Sequence, residues 1–354
     1  MTATVEELVR SLTLEEKAGL CSGADFWHTK AVERLGIPAL MLSDGPHGLR
    51  TQKPGSQNPN DSIEAVCFPA GCAAAASFDP TLTRRMGAAL GREARASGVG
   101  VVLGPAINIK RSPLCGRNFE YYSEDPFLAG ELAAGLIEGI QSEGVGACPK
   151  HFAANSQETR RMTADSRLDE RTLHEIYLPA FEAAVREAQP WSVMCSYNRV
   201  NGVYASENAL LLNEILREQW GFHGFTMSDW GAVNDRVRGV AAGLDLEMPG
   251  SGGVNDAKLV EAVRSGALDE AVLDKAVTRI LNIVLRAADL AQQPAVFDRT
   301  ADHALAVELA QESAVLLQNL GALPLHTGQK VAYIGAFADT PRYQGGGSSH
   351  VNTH

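Results

Sequence analysis

Apolar residues occur along this chain in short unbroken runs, separated by stretches with helical spacing. The runs cover residues 39–42, 99–103, 145–148, 192–195, 225–227 and 244–246, with 66–68 as a weaker seventh. An unbroken run, unlike an alternating one, suits a strand covered on both faces, as in a parallel sheet.

The helical stretches carry clear end signals. Thr13 and Glu16 form a capping-box pattern. Asp79-Pro80 and Asp125-Pro126 each place a cap before a proline at the first helical position. After Asp125, Leu128, Leu132, Leu136 and Ile140 fall on one stripe, which Gly144 ends. Between residues 269 and 290, Leu273, Val277, Ile280, Leu281 and Val284 line one face. Residues 168–188 read as a helix that Pro179 should break or kink.

Repeated strand–helix alternation implies a parallel α/β architecture. Asp44, Lys150, His151, Tyr197, Asp229 and Glu247 each sit at or just past the C-terminal end of an apolar run. A barrel brings all such ends to one face, whereas an open sheet would scatter them. The expected fold is therefore a (β/α)8-like barrel, complete or one strand short, over residues 1–290. Residues 291–312 read as a linker (Gln292-Gln293-Pro294) and a connecting helix. A fresh strand at 330–335 makes 313–354 the start of a second, incomplete domain.

Composition narrows the function classes. The chain has 354 residues, 45% of them apolar, and a formal net charge of -11 spread along its length. Nucleic-acid binding is disfavoured, because phosphates call for clustered Lys and Arg. The N-terminus lacks a basic start and an apolar stretch, and no run of about 18 apolar residues suggests a membrane span. Six scattered cysteines without CxxC or Cys/His spacing read as reduced, buried thiols of a cytoplasmic protein. No cofactor and no metal is expected.

Each candidate motif has a plain reading beside its chemical one. Asp229 followed by Trp230 offers a carboxylate nucleophile and a stacking surface for a sugar ring; it could equally cap the next helix. Lys150-His151 could hold hydroxyls, supply a Schiff-base amine, or form an ordinary loop pair. Arg160-Arg161 could be a solvated pair. Ser43-Asp44-Gly45-Pro46-His47-Gly48 fixes an acid in a rigid turn, or forms a structural Asx turn. Gly116-Arg117-Asn118-Phe119-Glu120 gathers a cation, an amide, an aromatic ring and an acid in one loop. Gly345-Gly346-Gly347-Ser348-Ser349 lacks the lysine of a phosphate loop and reads as a flexible loop facing the neighbouring domain.

These motifs, with Lys150-His151-Phe152, Met194-Cys195-Ser196-Tyr197-Asn198 and Met227-Ser228-Asp229-Trp230, resemble in order and spacing the family 3 glycoside hydrolases, β-glucosidase type. The resemblance spans most of residues 8–354 and implies roles. Asp229 matches the nucleophile of a retaining double displacement. Asp44, Arg117, Lys150, His151 and Arg161 match residues that hold sugar hydroxyls. Met194 joins the substrate-binding set, Tyr197 stands beside the nucleophile, and Trp230 lines the subsite entrance. The second domain would be an α/β sandwich whose Glu supplies the acid/base. The His-bearing, Gly-rich loop of the N-acetylglucosaminidase branch is absent from Phe152-Ala153-Ala154-Asn155-Ser156-Gln157.

The expected protein is thus an N-terminal portion of a retaining β-glucosidase, acting on a β-glucoside or small oligosaccharide. Its acid/base would come from the missing domain or a second chain. A β-xylosidase, a non-catalytic sugar-binding remnant and a Lys150-based lyase stay open, as does homo-oligomerisation.

Overall fold

The computed structural model describes residues 3–56, 58, 61–293 and 295–353, so Pro294 of the expected linker lies outside it. Nine short strands occur among the described residues: β1 Leu42–Asp44, β2 Val101–Leu103, β3 Gly146–Ala147, β4 Lys150–Phe152, β5 Asp165–Ser166, β6 Ser192–Cys195, β7 Arg199–Val200, β8 Val203–Tyr204 and β9 Phe225–Ser228. They form sheets ordered β1-β2-β3, β4-β6-β9 and β5-β7-β8. Every pairing in the first two is parallel. The unbroken apolar runs predicted this, since these strands are buried residue by residue.

The body is an α/β, barrel-like domain, but no single sheet closes on itself among the described residues. Irregular segments join the two parallel sheets. Lys150 N donates to Pro105 O (2.9 Å), and Ile107 N to Lys150 O (2.8 Å). Beyond β9, Leu246 N donates to Thr226 O (3.0 Å), and Glu247 N to Cys21 O (2.9 Å). Leu42 N donates to Trp27 O (2.8 Å), which brings the chain back to β1.

Four expectations change. Residues 244–246 make one bridge to Met227 rather than a strand, and 66–68 make none. The run 145–148 gives only β3; Pro149, which has no N–H to give, separates it from β4, so Lys150 and His151 lie within a strand of their own and not past a strand end. Residues 330–335 form no strand: Val331, Tyr333 and Ile334 are exposed, and no other backbone segment among the described residues pairs with them. Finally, only Cys21, Cys148 and Cys195 are buried. Cys67 and Cys115 are half-buried and Cys72 is exposed, because the last two sit on a short surface helix and a loop.

The helix signals operate as read. Thr13 Oγ1 accepts from Glu16 N, and Glu16 Oε2 accepts from Thr13 N. Asp79 and Asp125 cap Pro80–Ala96 and Pro126–Ser142. Those two helices pack backbone to backbone: a Cβ on Gly139 would lie 2.1 Å from Arg84 O, and one on Gly87 2.2 Å from Leu136 O. Pro179 ends a wide turn at Leu173–Tyr177 and begins Pro179–Ala188 afresh. Leu132, Leu136 and Ile140 are fully buried, each contributing roughly 1.5–3 kcal/mol. No helix among the described residues is long and apolar enough to cross a membrane.

Candidate active site

A cavity of about 800 Å³ opens at the C-terminal ends of the parallel strands. Asp44, Arg117, Lys150, His151, Arg161, Met194, Tyr197, Asp229 and Trp230 all line it. Glu247 does not; Asn255 Nδ2 donates to its Oε1 (2.7 Å), so the sixth polar strand end turns elsewhere.

Asp229 follows β9 directly. It caps no helix: the next helix, Arg236–Ala242, is capped by Asp235. Its Oδ1 accepts from Trp230 N (2.7 Å), and Oδ2 lies 3.5 Å from His151 Nε2. Burial pushes its pKa above the ordinary carboxylate range; Arg117 and Lys150 oppose that, with hydrogen bonds from Trp230 N and Tyr197. Tyr197 is itself buried and its phenol is held well above its usual pKa; its single proton can go to the Asp229 carboxylate or, as here, to Trp230 O (2.9 Å).

A chain of ion pairs surrounds this carboxylate. Lys150 Nζ donates to Asp44 Oδ1 (3.1 Å), and Arg50 Nη1 to Asp44 Oδ2 (3.3 Å). Both oxygens of Asp44 are thus engaged by cations and not by the backbone of an Asx turn. Lys150 in this pair is an ammonium donor, which argues against a free Schiff-base amine. Arg117 Nε pairs with Glu120 Oε1, whose other oxygen accepts from Ser349 Oγ. Arg117 draws Glu120 below the usual carboxylate range despite full burial. The loop carrying this pair is close-packed: a Cβ on Gly71 would lie 2.1 Å from Glu120 O. Arg161 pairs with Glu158 (3.1 Å) and lies 4.6 Å over the Tyr197 ring, so it is not merely solvated.

At the mouth, Trp230 Nε1 donates to Phe26 O (3.0 Å), and its ring packs 5.4 Å from Trp27 and 6.1 Å from Phe26. Aromatic faces of this kind bind the C–H face of a sugar.

Several lining residues escaped the sequence reading. Arg50 stands two residues past the Ser43–Gly48 motif, and extending that motif would have found it. Asn108, also missed, does not line the cavity; it is buried behind it, bonded to the backbone of His151. Gly347, Ser348, His350 and Asn352 belong to the Gly-rich tail. That tail does not simply face away. Ala65 N donates to Asn352 O (2.9 Å), Val351 is buried, and Arg50 Nη1 donates to Ser348 O (3.4 Å).

The site is thus a buried carboxylate among fixed cations, beneath an aromatic lip, on an α/β body. Residues 13–283 match the glycosyl hydrolase family 3 N-terminal domain, and the chain belongs to that family. It is 57% identical to thermostable beta-glucosidase B of Acetivibrio thermocellus, over 99% of this chain and 47% of that protein. It is 48% identical to an exo-alpha-(1->6)-L-arabinopyranosidase of Bifidobacterium longum, over 99% and 48%. The structure of beta-glucosidase 3B from Thermotoga neapolitana in complex with alpha-D-glucose superposes with a TM-score of 0.93 at 42% identity, covering 99% of this chain and 52% of that one. The chain therefore spans about half the length of the relatives it matches.

Proposed function

We propose that this chain is the nucleophile-bearing portion of a retaining exo-β-glucosidase. Asp229 attacks the anomeric carbon and forms a glycosyl-enzyme, which water then hydrolyses. Asp44, Arg117, Lys150, His151 and Arg161 hold the sugar hydroxyls, with Met194 and Tyr197 beside them and Trp230 at the entrance. Residues 1–290 form the catalytic body, 291–312 the connection, and 313–354 the start of the α/β sandwich domain.

One observation carries this reading: among the described lining residues, Asp229 is the carboxylate not committed to an ion pair with Lys or Arg. Asp44 is paired with Lys150 and Arg50, and Asp61 with Lys53 (3.0 Å). A retaining mechanism needs a second carboxyl as acid/base, about 5–5.5 Å away. That group is a Glu contributed from outside the described residues.

A 2-fluoro glucoside incubated with the full-length protein should label Asp229, read by peptide mass spectrometry. Label on Glu120 or Glu247 instead would overturn the assignment. The 354-residue chain alone should bind gluconolactone yet turn over aryl β-glucosides weakly or not at all. Full turnover by the chain alone would refute the half-site reading. The arabinopyranosidase relative favours a second sugar, so turnover should also be measured on a panel of nitrophenyl glycosides that includes the α-L-arabinopyranoside and the β-xyloside.

A further inference from the structure

We propose that Asn108 is a positioning residue that locks His151 in the tautomer protonated on Nδ1, so that Nε2 faces the cavity as a hydrogen-bond acceptor. The inference rests on reading Asp229 as the nucleophile only for its catalytic consequence; the tautomer itself stands on geometry.

Asn108 is buried beneath the site. Its amide pairs with the backbone of His151 in both directions: Nδ2 donates to His151 O (2.8 Å), and His151 N donates to Oδ1 (2.8 Å). Turning the amide over would set NH₂ against N–H and oxygen against oxygen. Its orientation is therefore fixed by its neighbours. The same Oδ1 lies 3.3 Å from His151 Nδ1. An amide oxygen only accepts, so the ring proton belongs on Nδ1.

A neutral imidazole has one such proton, which leaves Nε2 with a bare lone pair. The surroundings agree. Arg117 Nη2, a pure donor, lies 3.3 Å from Nε2. Burial together with Arg117, Lys150 and Arg161 keeps the ring uncharged although Asp229 Oδ2 lies 3.5 Å from it; the nearby Glu120 and Asp44 are paired with Arg117 and Lys150.

The tautomer matters for two groups. A proton on Nε2 would point at Asp229 Oδ2, 3.5 Å away, and blunt that carboxylate as a nucleophile. Without it, Asp229 keeps a free oxygen, and a sugar hydroxyl entering the gap donates its proton to Nε2 in place of Arg117 Nη2. His151 thus selects a hydroxyl as donor while Arg117 and Lys150 select it as acceptor.

The test is nitrogen-15 NMR of full-length protein carrying labelled histidine, with the His151 signals assigned by their loss in His151→Gln. Wild type should show a protonated Nδ1 and an unprotonated Nε2 from mildly acidic to neutral pH. Asn108→Asp retains the acceptor oxygen and should keep that tautomer, while raising the pH at which the ring becomes cationic. Asn108→Ala should give a mixture containing the Nε2–H form, with kcat down about 10-fold or more. A wild-type spectrum showing Nε2–H, or an Asn108→Ala spectrum unchanged from wild type, overturns the proposal. Wild type alone settles the sign if Asn108→Ala fails to fold. An intact tautomer in a protein that 2-fluoro glucosides do not label at Asp229 would sink the glycosidase reading and leave this one standing.

Discussion

Residues 101–103 and 331–334 are near twins on paper, Val-Val-Leu against Val-Ala-Tyr-Ile. In the fold they share nothing. The first run is β2, fully buried, with β1 on one side and β3 on the other. In the second, Tyr333 is 84% and Ile334 88% exposed, and no strand forms. The difference lies in neighbours: a strand needs a partner for its N–H and C=O groups, and a face to cover its side chains. A few residues later the same tail docks firmly, because Ser349 and Asn352 do find partners in Glu120 and Ala65. Burial in this molecule follows specific pairing more than local hydrophobicity.

The sharpest contrast between body and tail should come from Asp229→Ala. In the full-length protein it should lower glycoside turnover by a factor on the order of 10³ or more, measured with an aryl glucoside. The circular dichroism spectrum should not change. Next comes the seam between the two regions. Glu120→Ala strands Arg117 as a buried, unpaired cation and should cost about 3–5 kcal/mol in urea unfolding. A cost under about 1 kcal/mol would mean that the seam tolerates an uncompensated charge.

Glu93 tests the same seam by pH. It is buried, its carboxylate accepts from Val66 N, and Val66 adjoins the Ala65–Asn352 pairing. Burial pushes its pKa up to about 7. A carboxyl raised in this way binds its proton more tightly folded than unfolded. Its contribution is therefore complete below the ordinary Glu range and is lost as pH climbs to about 7. That loss is roughly 3 kcal/mol across the window. Glu93→Gln should flatten this part of the stability–pH curve, and an unchanged slope would remove Glu93 from the account. The smallest effect belongs to the exposed tail. Ile334→Lys in the isolated chain should move stability by no more than about 0.5 kcal/mol, while reducing the binding of a hydrophobic dye.

Much of this was legible in the sequence, and the failures share a cause. Unbroken apolar runs and capped helices were visible because their signals are local. β4 was not, since Lys150-His151-Phe152 looks polar; its place comes from β6 and from the segment after β2. Residues 330–335 failed in the opposite sense, being apolar but partnerless. In the site, the nine expected residues line one cavity because each lies near a strand end or in a compact motif. Arg50 had the same kind of local signal and was simply left outside the motif's edge. Ser348, His350 and Asn352 had none, since what brings them to the cavity is pairing with residues 62–65 and 120.

The contact between Ser349 and Glu120 spans 229 residues of sequence. Chains grow at about 5–20 residues per second. A ribosome that has just added Glu120 therefore needs roughly 10–50 s more to reach its partner. During that interval the body can pair its strands and bury its helices, but the cavity stays open on one side. Arg117 then has its carboxylate but lacks the hydroxyl that anchors it. The cavity is accordingly among the last parts of this region to become whole, although Asp229 is made long before its far wall.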